Sequence, residues 1–586
     1  MEYSRLVEVY ESLNSTTKRL EKTHIISEFL RDVDEQEIEQ VVLLLEGRVF
    51  PSYDQRVIGV ASRLMLKALA AATGISADKI EKEWKKQGDL GLVAEVLVKT
   101  KKQATLQSTK LTIKKVFDNI RKLAELEGLG TVERKVQLIA ELLTSAKPVE
   151  SKYIVKTILE EMRIGVGEGV MRDAITWAFF GKDTGVKYTQ EGNEIIVEDR
   201  GVYNKYLNAV QSAYDVTNEF ARVAAAAKSK GLKGLESIGM QAGIPIKVML
   251  ALKTDTIGEA FETVGKPCAI EFKYDGFRIQ AHKDDNGKIT LFTRRLEDVT
   301  RQFPDVAEFV RKNVKGKSFI LDSEAVGYNN KTGKYLPFQS VSQRIKRKYD
   351  IERMSKEFPI ELNVFDIIFY DGKSLINEEF AKRRELLEKI IKNEPKKIVL
   401  SKSKITSSEK DVEKFFKDAV NAGNEGLMFK SLNAPYKPGA RVGHMIKFKH
   451  IMETLDLVIV GAEWGEGKRS KWLSSYEIAC VDEGGNLLEI GRASTGLKEK
   501  EEEGLSFMEM TKMLKPLIIS EKGKEVKVKP KIVIEIGYEE IQKSPSYTSG
   551  MALRFPRIIR IRDEKGADDA STLDYVNKLY LGQKKR

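Results

Sequence analysis

Cysteine is almost absent: Cys268 and Cys480 stand far apart in 586 residues and belong to no C-x-x-C pair. That excludes a four-cysteine zinc module and a disulfide-stapled scaffold. The four histidines, His24, His282, His444 and His450, form no cluster of metal-ligand spacing. Any metal is therefore expected to be a hard ion held by carboxylates and substrate phosphates. No run approaches the ~20 apolar residues of a membrane-spanning helix, and Met1-Glu2-Tyr3-Ser4-Arg5 leads into an amphipathic pattern without an apolar signal core. A soluble, cytoplasmic chain without membrane contact is expected, and internal repeats are missing too. What the chain does have is charge. Lys and Arg number 99 against 87 Asp and Glu, a net charge of +12. Such an excess suits a polyanionic partner and equally a protein of a hot environment.

A chain this long divides into roughly three or four domains, and the residue pattern changes character twice. Residues 1–240 read as helical: Ile38, Val41, Val42 and Leu45 recur at helical spacing, as do Ile154, Ile158 and Met162 after Pro148. Strand-like alternation there is confined to Asn193–Val197, and the polar, basic segment 97–110 reads as an exposed loop. Glycines 231, 234, 239 and 243 with Pro245 mark a bend and a domain boundary. Residues 241–449 form an α+β domain. Its period-2 runs cover Cys268–Lys273, Phe277–Lys283, Ile289–Arg294, Phe319–Val326, Ile360–Tyr370, Glu425–Lys430 and Met445–Lys449. Helical patterns at Ala381–Lys392 and Ser408–Ala422 lie between them, and Asp284-Asp-Asn-Gly287 is a hairpin turn. Residues 450–586 are dominated by short strands at a spacing that suits a Greek-key β-barrel of the OB-fold type.

The sharpest local signal is Glu271-Phe-Lys273-Tyr-Asp275-Gly276-Phe-Arg278. Residues two apart on a strand share a face, so Glu271 and Lys273 point together while Ile270 and Phe272 face the core. A turn at Asp275-Gly276 is expected to return the chain and bring Arg278 to the same pocket. A lysine in a partly desolvated pocket lined by cations sheds its proton more readily and becomes a nucleophile. Alone, this segment is equally the wet face of a hairpin. The strands that follow decide between the readings. Thr293-Arg294-Arg295 ends one; Leu321-Asp322-Ser323-Glu324 sets two carboxylates on one face; Val364-Phe365-Asp366 puts an aromatic beside an acid. Glu425-Gly-Leu-Met-Phe-Lys430, Arg441 and Ile446-Lys447-Phe448-Lys449 supply further charge. Strand after strand delivering Lys, Arg, Asp and Glu describes a cleft for a nucleotide triphosphate and a metal.

In this order the segments resemble the covalent nucleotidyltransferases, most closely the ATP-dependent DNA ligases of archaeal and eukaryotic type. Lys-Tyr-Asp-Gly at 273–276 resembles the nucleotidyl-lysine motif. Phe-Thr-Arg-Arg at 292–295, Leu-Asp-Ser-Glu at 321–324, Val-Phe-Asp at 364–366, Glu-Gly-Leu-Met-Phe-Lys at 425–430 and Ile-Lys-Phe-Lys at 446–449 resemble the motifs that follow it, and 553–563 the last one. The front third is similar to that family's DNA-binding domain, with Arg163-Ile-Gly-Val-Gly-Glu168 similar to a segment that hugs the DNA backbone. The resemblance implies an all-α DNA-binding domain, an α+β nucleotidyltransferase (adenylation) domain and an OB-fold domain. It implies that Lys273 attacks the α-phosphate of ATP, that Glu271 reads the adenine amino group and that Phe365 stacks on the ring. Arg278, Arg294, Arg441 and Lys447 would contact sugar and phosphates, and Lys449 the α-phosphate. Glu324 and Glu425 would hold Mg²⁺, with Mn²⁺ as an alternative, or the ribose side of the pocket. Arg560, Arg562 and Asp563 would orient the pyrophosphate. The implied partner is nicked duplex DNA, engaged by a monomer.

Some related ligases dock on the sliding clamp (PCNA) through a Gln-plus-aromatic segment in the loop matching 97–110. Here Gln103-Ala-Thr-Leu106 carries no aromatic pair. Gly461-Ala-Glu-Trp-Gly-Glu-Gly467-Lys468 imitates a phosphate loop but has Ala462 and Arg469 at positions that need Gly and Ser or Thr. An RNA ligase or an mRNA-capping guanylyltransferase would share the lysine chemistry, and a capping enzyme would not need so large a helical front domain. A DNA-binding scaffold with a dead catalytic domain is opposed by the presence of Lys273, Glu324, Glu425, Lys447 and Lys449.

Overall fold

The computed structural model describes residues 1–100, 110–336, 338–345, 349–449, 454–465, 469–499 and 505–584. Gln103–Leu106 and Lys468 therefore lie outside the described residues. The chain splits into two units. The first comprises Met1–Thr254, Gly258–Ser408 and Met428–Lys447; the second comprises Asp255–Ile257, Glu409–Leu427 and Phe448–Arg586.

Among the described residues, the stretch from Tyr3 to Glu236 is mainly helices joined by loops, with a hairpin that pairs Lys187–Thr189 with Glu194–Ile196. Its helix starts follow from side chains that take up the free N–H groups of the first turn. Asp89 accepts from the Leu92 amide, Thr112 from that of Lys115, and Asp199 from those of Gly201 and Val202. Ile38, Val41, Val42 and Leu45 are all buried, as their spacing predicts. The Ile154–Met162 periodicity is only partly helical. The Pro148–Ile158 helix stops before Met162, because the chain turns with Glu160 and Arg163 at positive φ, and Met162 reaches the core from the loop. Gly231, with φ 56° and ψ −139°, leaves the helical region and separates two helical pieces within Phe220–Glu236, so the expected bend begins there.

Two sheets follow the helices in the chain. One runs Ile398–Leu400, Ile360–Tyr370, Phe319–Gly327, Phe277–Lys283, Ile289–Thr293. All its recorded pairs are antiparallel except the first, and the Asp284–Gly287 turn joins the last two strands as expected. The other sheet runs Ser403–Thr406, Cys268–Lys273, Gly426–Ser431, Arg441–Lys449, Leu250–Thr254. Buried Ile279, Leu291, Leu321, Leu362 and Ile367 pack the first sheet against the Pro304–Asn313 and Phe380–Ile390 helices.

The second unit is β-rich. Its largest sheet runs Leu487–Ala493, Leu473–Val481, Leu455–Trp464, Glu525–Val528, Ile518–Lys522, and Val533–Gly537 bridges Leu455–Trp464 to Arg557–Ile561. All recorded pairs are antiparallel. Leu455, Tyr476, Ile478, Ile490, Ile534 and Ile536 fill its core together with Phe507 and Val576 from two helices. No helix among the described residues is long and apolar enough to cross a membrane.

Candidate active site

The Lys-Tyr-Asp-Gly segment does not close a hairpin. Cys268–Lys273 belongs to one sheet and Phe277–Lys283 to the other, so residues 274–276 carry the chain from sheet to sheet. The expected return turn is thereby corrected, and the reason is close packing. A Cβ on Gly276 would lie 2.4 Å from the Ala325 carbonyl oxygen and 3.0 Å from Glu324 Cγ, so only glycine lets the connection lie this close to the Phe319–Gly327 strand. Tyr274 is buried beside Lys273, and its hydroxyl accepts the Lys402 amide at 3.0 Å. Lys273 ends its strand half-buried, where the two sheets meet.

Glu271 is 2% exposed and sits among cations. Lys430 Nζ lies 2.7 Å from one carboxylate oxygen and Arg384 Nη1 3.4 Å from the other. Lys430, itself 5% exposed, also stands 4.6 Å from the centre of the Phe365 ring, and the Arg278 guanidinium lies 5.2 Å from it. Phe365 is thus an aromatic ring with two positive charges within about 6 Å of its centre.

Arg278 is bound by a buried partner. Its Nε donates to Asp322 at 2.7 Å, its Nη2 donates to the same carboxylate, and Nη1 reaches the Met249 carbonyl at 3.2 Å. The Tyr436 hydroxyl donates to Asp322 at 2.8 Å. Burial opposes the charge on Arg278, but the Asp322 carboxylate outweighs it and raises the guanidinium's already high pKa. Burial beside Asp322 likewise pushes the Tyr436 phenol up. Glu324 stands opposite Arg278 in strand register, next to the Gly276 backbone. Arg278 and Arg294 meet on the wall of one cavity of about 590 Å³, which Phe277, Arg295 and Gln302 also line. Gln55 from the helical region reaches this wall and donates to the Leu296 carbonyl at 3.4 Å. Arg441 and Lys447 share the Arg441–Lys449 strand, the first exposed and the second half-buried.

The remaining expected residues belong to the second unit. Lys449 lies 2.5 Å from Glu425 and 3.1 Å from Glu539. Burial works against its charge, yet these two carboxylates prevail and raise its pKa. Arg560 pairs with Glu535 at 2.7 Å, which with Thr454 holds the Glu535 carboxyl below its usual range. Arg562 contacts Asp456 at 3.1 Å, and Asp563 follows it exposed on the surface. Glu324 and Glu425 thus fall in different units. Among the described residues no group of three or more His, Cys, Asp or Glu side chains could hold a metal. Glu324 and Glu425 each offer carboxylate oxygens, the donor type a hard divalent cation takes.

Lys430, Arg384, Asp322 and Tyr436 are the residues of this cleft that carry no role in the motif pattern. Lys430 and Asp322 stood inside quoted motifs, whereas Arg384 and Tyr436 had no local signal.

Comparison with known proteins is consistent along the chain. Three family models match: "ATP dependent DNA ligase domain" over residues 248–449, "DNA ligase N terminus" over 2–176 and "ATP dependent DNA ligase C terminal region" over 469–565. The DNA ligase of Nanoarchaeum equitans is 46% identical over 587 residues, covering 100% of this chain and 99% of the relative. That of Archaeoglobus fulgidus is 42% identical over 582 residues, covering 99% and 98%. A solved structure described as Pmar-Lig_Pre aligns with a TM-score of 0.56 at 16% identity, over 95% of this chain and 99% of that one, a likeness of fold.

Proposed function

The chain belongs to the ATP-dependent DNA ligase family, and from that premise we propose that Lys273 carries its chemistry. A ligase of this family seals a nick between a 5′-phosphate and a 3′-hydroxyl in duplex DNA, the closing step of replication, repair and recombination. In the first step Lys273 Nζ, having lost a proton, attacks the α-phosphorus of ATP. The N–P bond forms, the bond to the β-phosphate oxygen breaks and pyrophosphate leaves. The AMP then passes to the 5′-phosphate of the nick, freeing the lysine. Finally the 3′-hydroxyl attacks the activated phosphorus, AMP departs and the phosphodiester is complete.

The observation that carries this reading is the cluster around the sheet-to-sheet connection. Lys273 lies at its start, Glu271 is buried two residues before it, and Lys430 and Arg278 both approach the Phe365 ring. In this reading Phe365 stacks on adenine and Glu271 accepts from its amino group. Arg278, Arg294, Arg441 and Lys447 neutralise ribose-phosphate charge, and Lys449 joins them at the α-phosphate once it leaves Glu425 and Glu539. Phosphoryl transfer asks mainly for positioning and charge neutralisation, which such residues supply. Mg²⁺ held by Glu324 or Glu425 with the phosphates adds further charge neutralisation when bound. Arg560, Arg562 and Asp563 act on the pyrophosphate.

Residues 1–240 serve as the DNA-binding domain, 241–449 as the adenylation domain and 450–586 as an OB-fold barrel, in a protein that acts as a monomer. DNA contacts are to the backbone, as a sequence-independent enzyme requires. The test is ligation of a labelled nicked duplex with ATP and Mg²⁺. The chain should seal it and Lys273→Ala should not; sealing by the alanine variant overturns the assignment.

A further inference from the structure

Arg384 lies on the Phe380–Ile390 helix, 113 residues from Glu271 in sequence, yet its side chain points into the base-reading corner of the cleft. Its guanidinium is fixed from several sides. Nη1 donates to Ser401 Oγ and Nη2 to the Ser401 carbonyl, both at 2.9 Å, while Nε donates to Glu388 at 3.2 Å. Ser401 is buried, so both of its contacts to the fork are made away from solvent. From there Nη1 also reaches one oxygen of Glu271 at 3.4 Å, while Lys430 holds the other at 2.7 Å.

The chemical consequence concerns which purine the cleft accepts. An ionised carboxylate has about four lone-pair sites and no donor. Two cations engage one site on each oxygen and leave the rest free to accept. The 6-amino group of adenine donates to such an acceptor. The 6-oxo group of guanine or hypoxanthine would face it lone pair against lone pair. Selection therefore requires the carboxylate to stay ionised and fixed, and Lys430 alone fastens only one oxygen.

We propose that Arg384 is a positioning residue for purine selection, holding the Glu271 carboxylate as an acceptor-only group before position 6 of the base. This rests on the reading that Glu271 recognises the adenine amino group. Arg384 touches no reacting atom. Its loss leaves Lys273 and the phosphate-binding cations in place but frees Glu271 to reorient.

The test compares ATP with ITP, which carries the 6-oxo group, on the full chain. Two readouts are taken: calorimetric dissociation constants in a Lys273→Ala background, and the ratio of AMP to IMP adducts by intact mass with Lys273 present. Arg384→Met is expected to narrow the ATP preference about tenfold in both, the scale of one hydrogen bond's net contribution. Arg384→Lys should return part of it. Glu271→Gln should narrow it as well, and adding Arg384→Met to Glu271→Gln should change nothing further, because the two act through one contact. Ser401→Ala, which loosens only the anchor, should narrow the preference about threefold and serves as the readout if Arg384→Met does not fold. A wild-type preference in Glu271→Gln overturns the reading of Glu271 itself. A changed preference there, with a wild-type one in Arg384→Met and Ser401→Ala, overturns the role of Arg384. So does an Arg384→Met effect of equal size with and without Glu271.

Discussion

Asp322→Asn breaks the Arg278 pair from its acidic side and measures what holds the floor of the cleft. Asp322 is fully buried, takes two guanidinium donors from Arg278 and accepts the Tyr436 hydroxyl at 2.8 Å. The amide keeps the shape but presents an NH₂ to those donors, and leaves a cation without its counter-charge. Removing one partner of a buried ion pair costs about 3–5 kcal/mol. Arg278 is 15% exposed and keeps the Met249 carbonyl at 3.2 Å. The lower end, about 3 kcal/mol, is therefore expected. At ~1.4 kcal/mol per factor of ten, the strands 277–283 and 319–327 should lose about 100-fold in amide hydrogen-exchange protection. Arg278→Met/Asp322→Leu, which removes both charges, should recover most of that protection, because the penalty belongs to the stranded charge. Wild-type exchange in Asp322→Asn, or a double variant no better than the single one, refutes the reasoning.

Two further outcomes follow from single positions. Burial, reinforced by Glu219 and Glu168, raises the Glu46 carboxyl from 4.5 to about 7 against the pull of Arg48. The folded state then keeps a proton that the unfolded chain releases, so Glu46 destabilises increasingly as the pH climbs from 4.5 to about 7. Glu46→Gln should be more stable than wild type at pH 8 by on the order of 2–3 kcal/mol, and no more stable at pH 4, in urea denaturation; an equal gain at both pH values contradicts this. Gly276→Ala should fold yet form the lysine adduct about 100-fold more slowly, since the added methyl displaces the connection that aims Lys273. Wild-type adenylation rates in that variant would show that the close approach to Ala325 is unimportant.

The strands that carry the site were legible because their chemistry is local. Cys268–Lys273, Phe277–Lys283 and Ile360–Tyr370 are rich in β-branched and aromatic residues, and they begin and end where their alternation does. Leu250–Thr254 and Ser403–Thr406 went unseen: they are short edge strands, whose pairing comes from neighbours rather than from their own composition. Ile518–Lys522 escaped for the same reason, a largely exposed edge strand, whereas Glu525–Val528 is paired on both sides with Val526 and Val528 buried and is simply too short for its alternation to stand out. Alternation tells which residues share a face but not which sheet a strand joins, so the sheet-to-sheet passage at 274–276 was read as a return turn. The motif order gave the candidate residues, yet not their partners. Arg278 was expected on phosphates and is fastened to Asp322; Glu271 was expected beside Lys273 and is gripped by Lys430 and Arg384. Those pairings join residues far apart in the chain, and only the packed sheets bring them together.

The central claim, that Lys273 is the nucleophile, is tested most directly by intact-protein mass spectrometry after incubation with Mg²⁺ and ATP, GTP or NAD. One AMP adduct is expected from ATP alone, mapped to Lys273, absent from Lys273→Ala, and discharged by nicked duplex DNA without further ATP as the nick closes. An adduct on another residue, a GMP adduct, or no adduct on protein freed of AMP would contradict it.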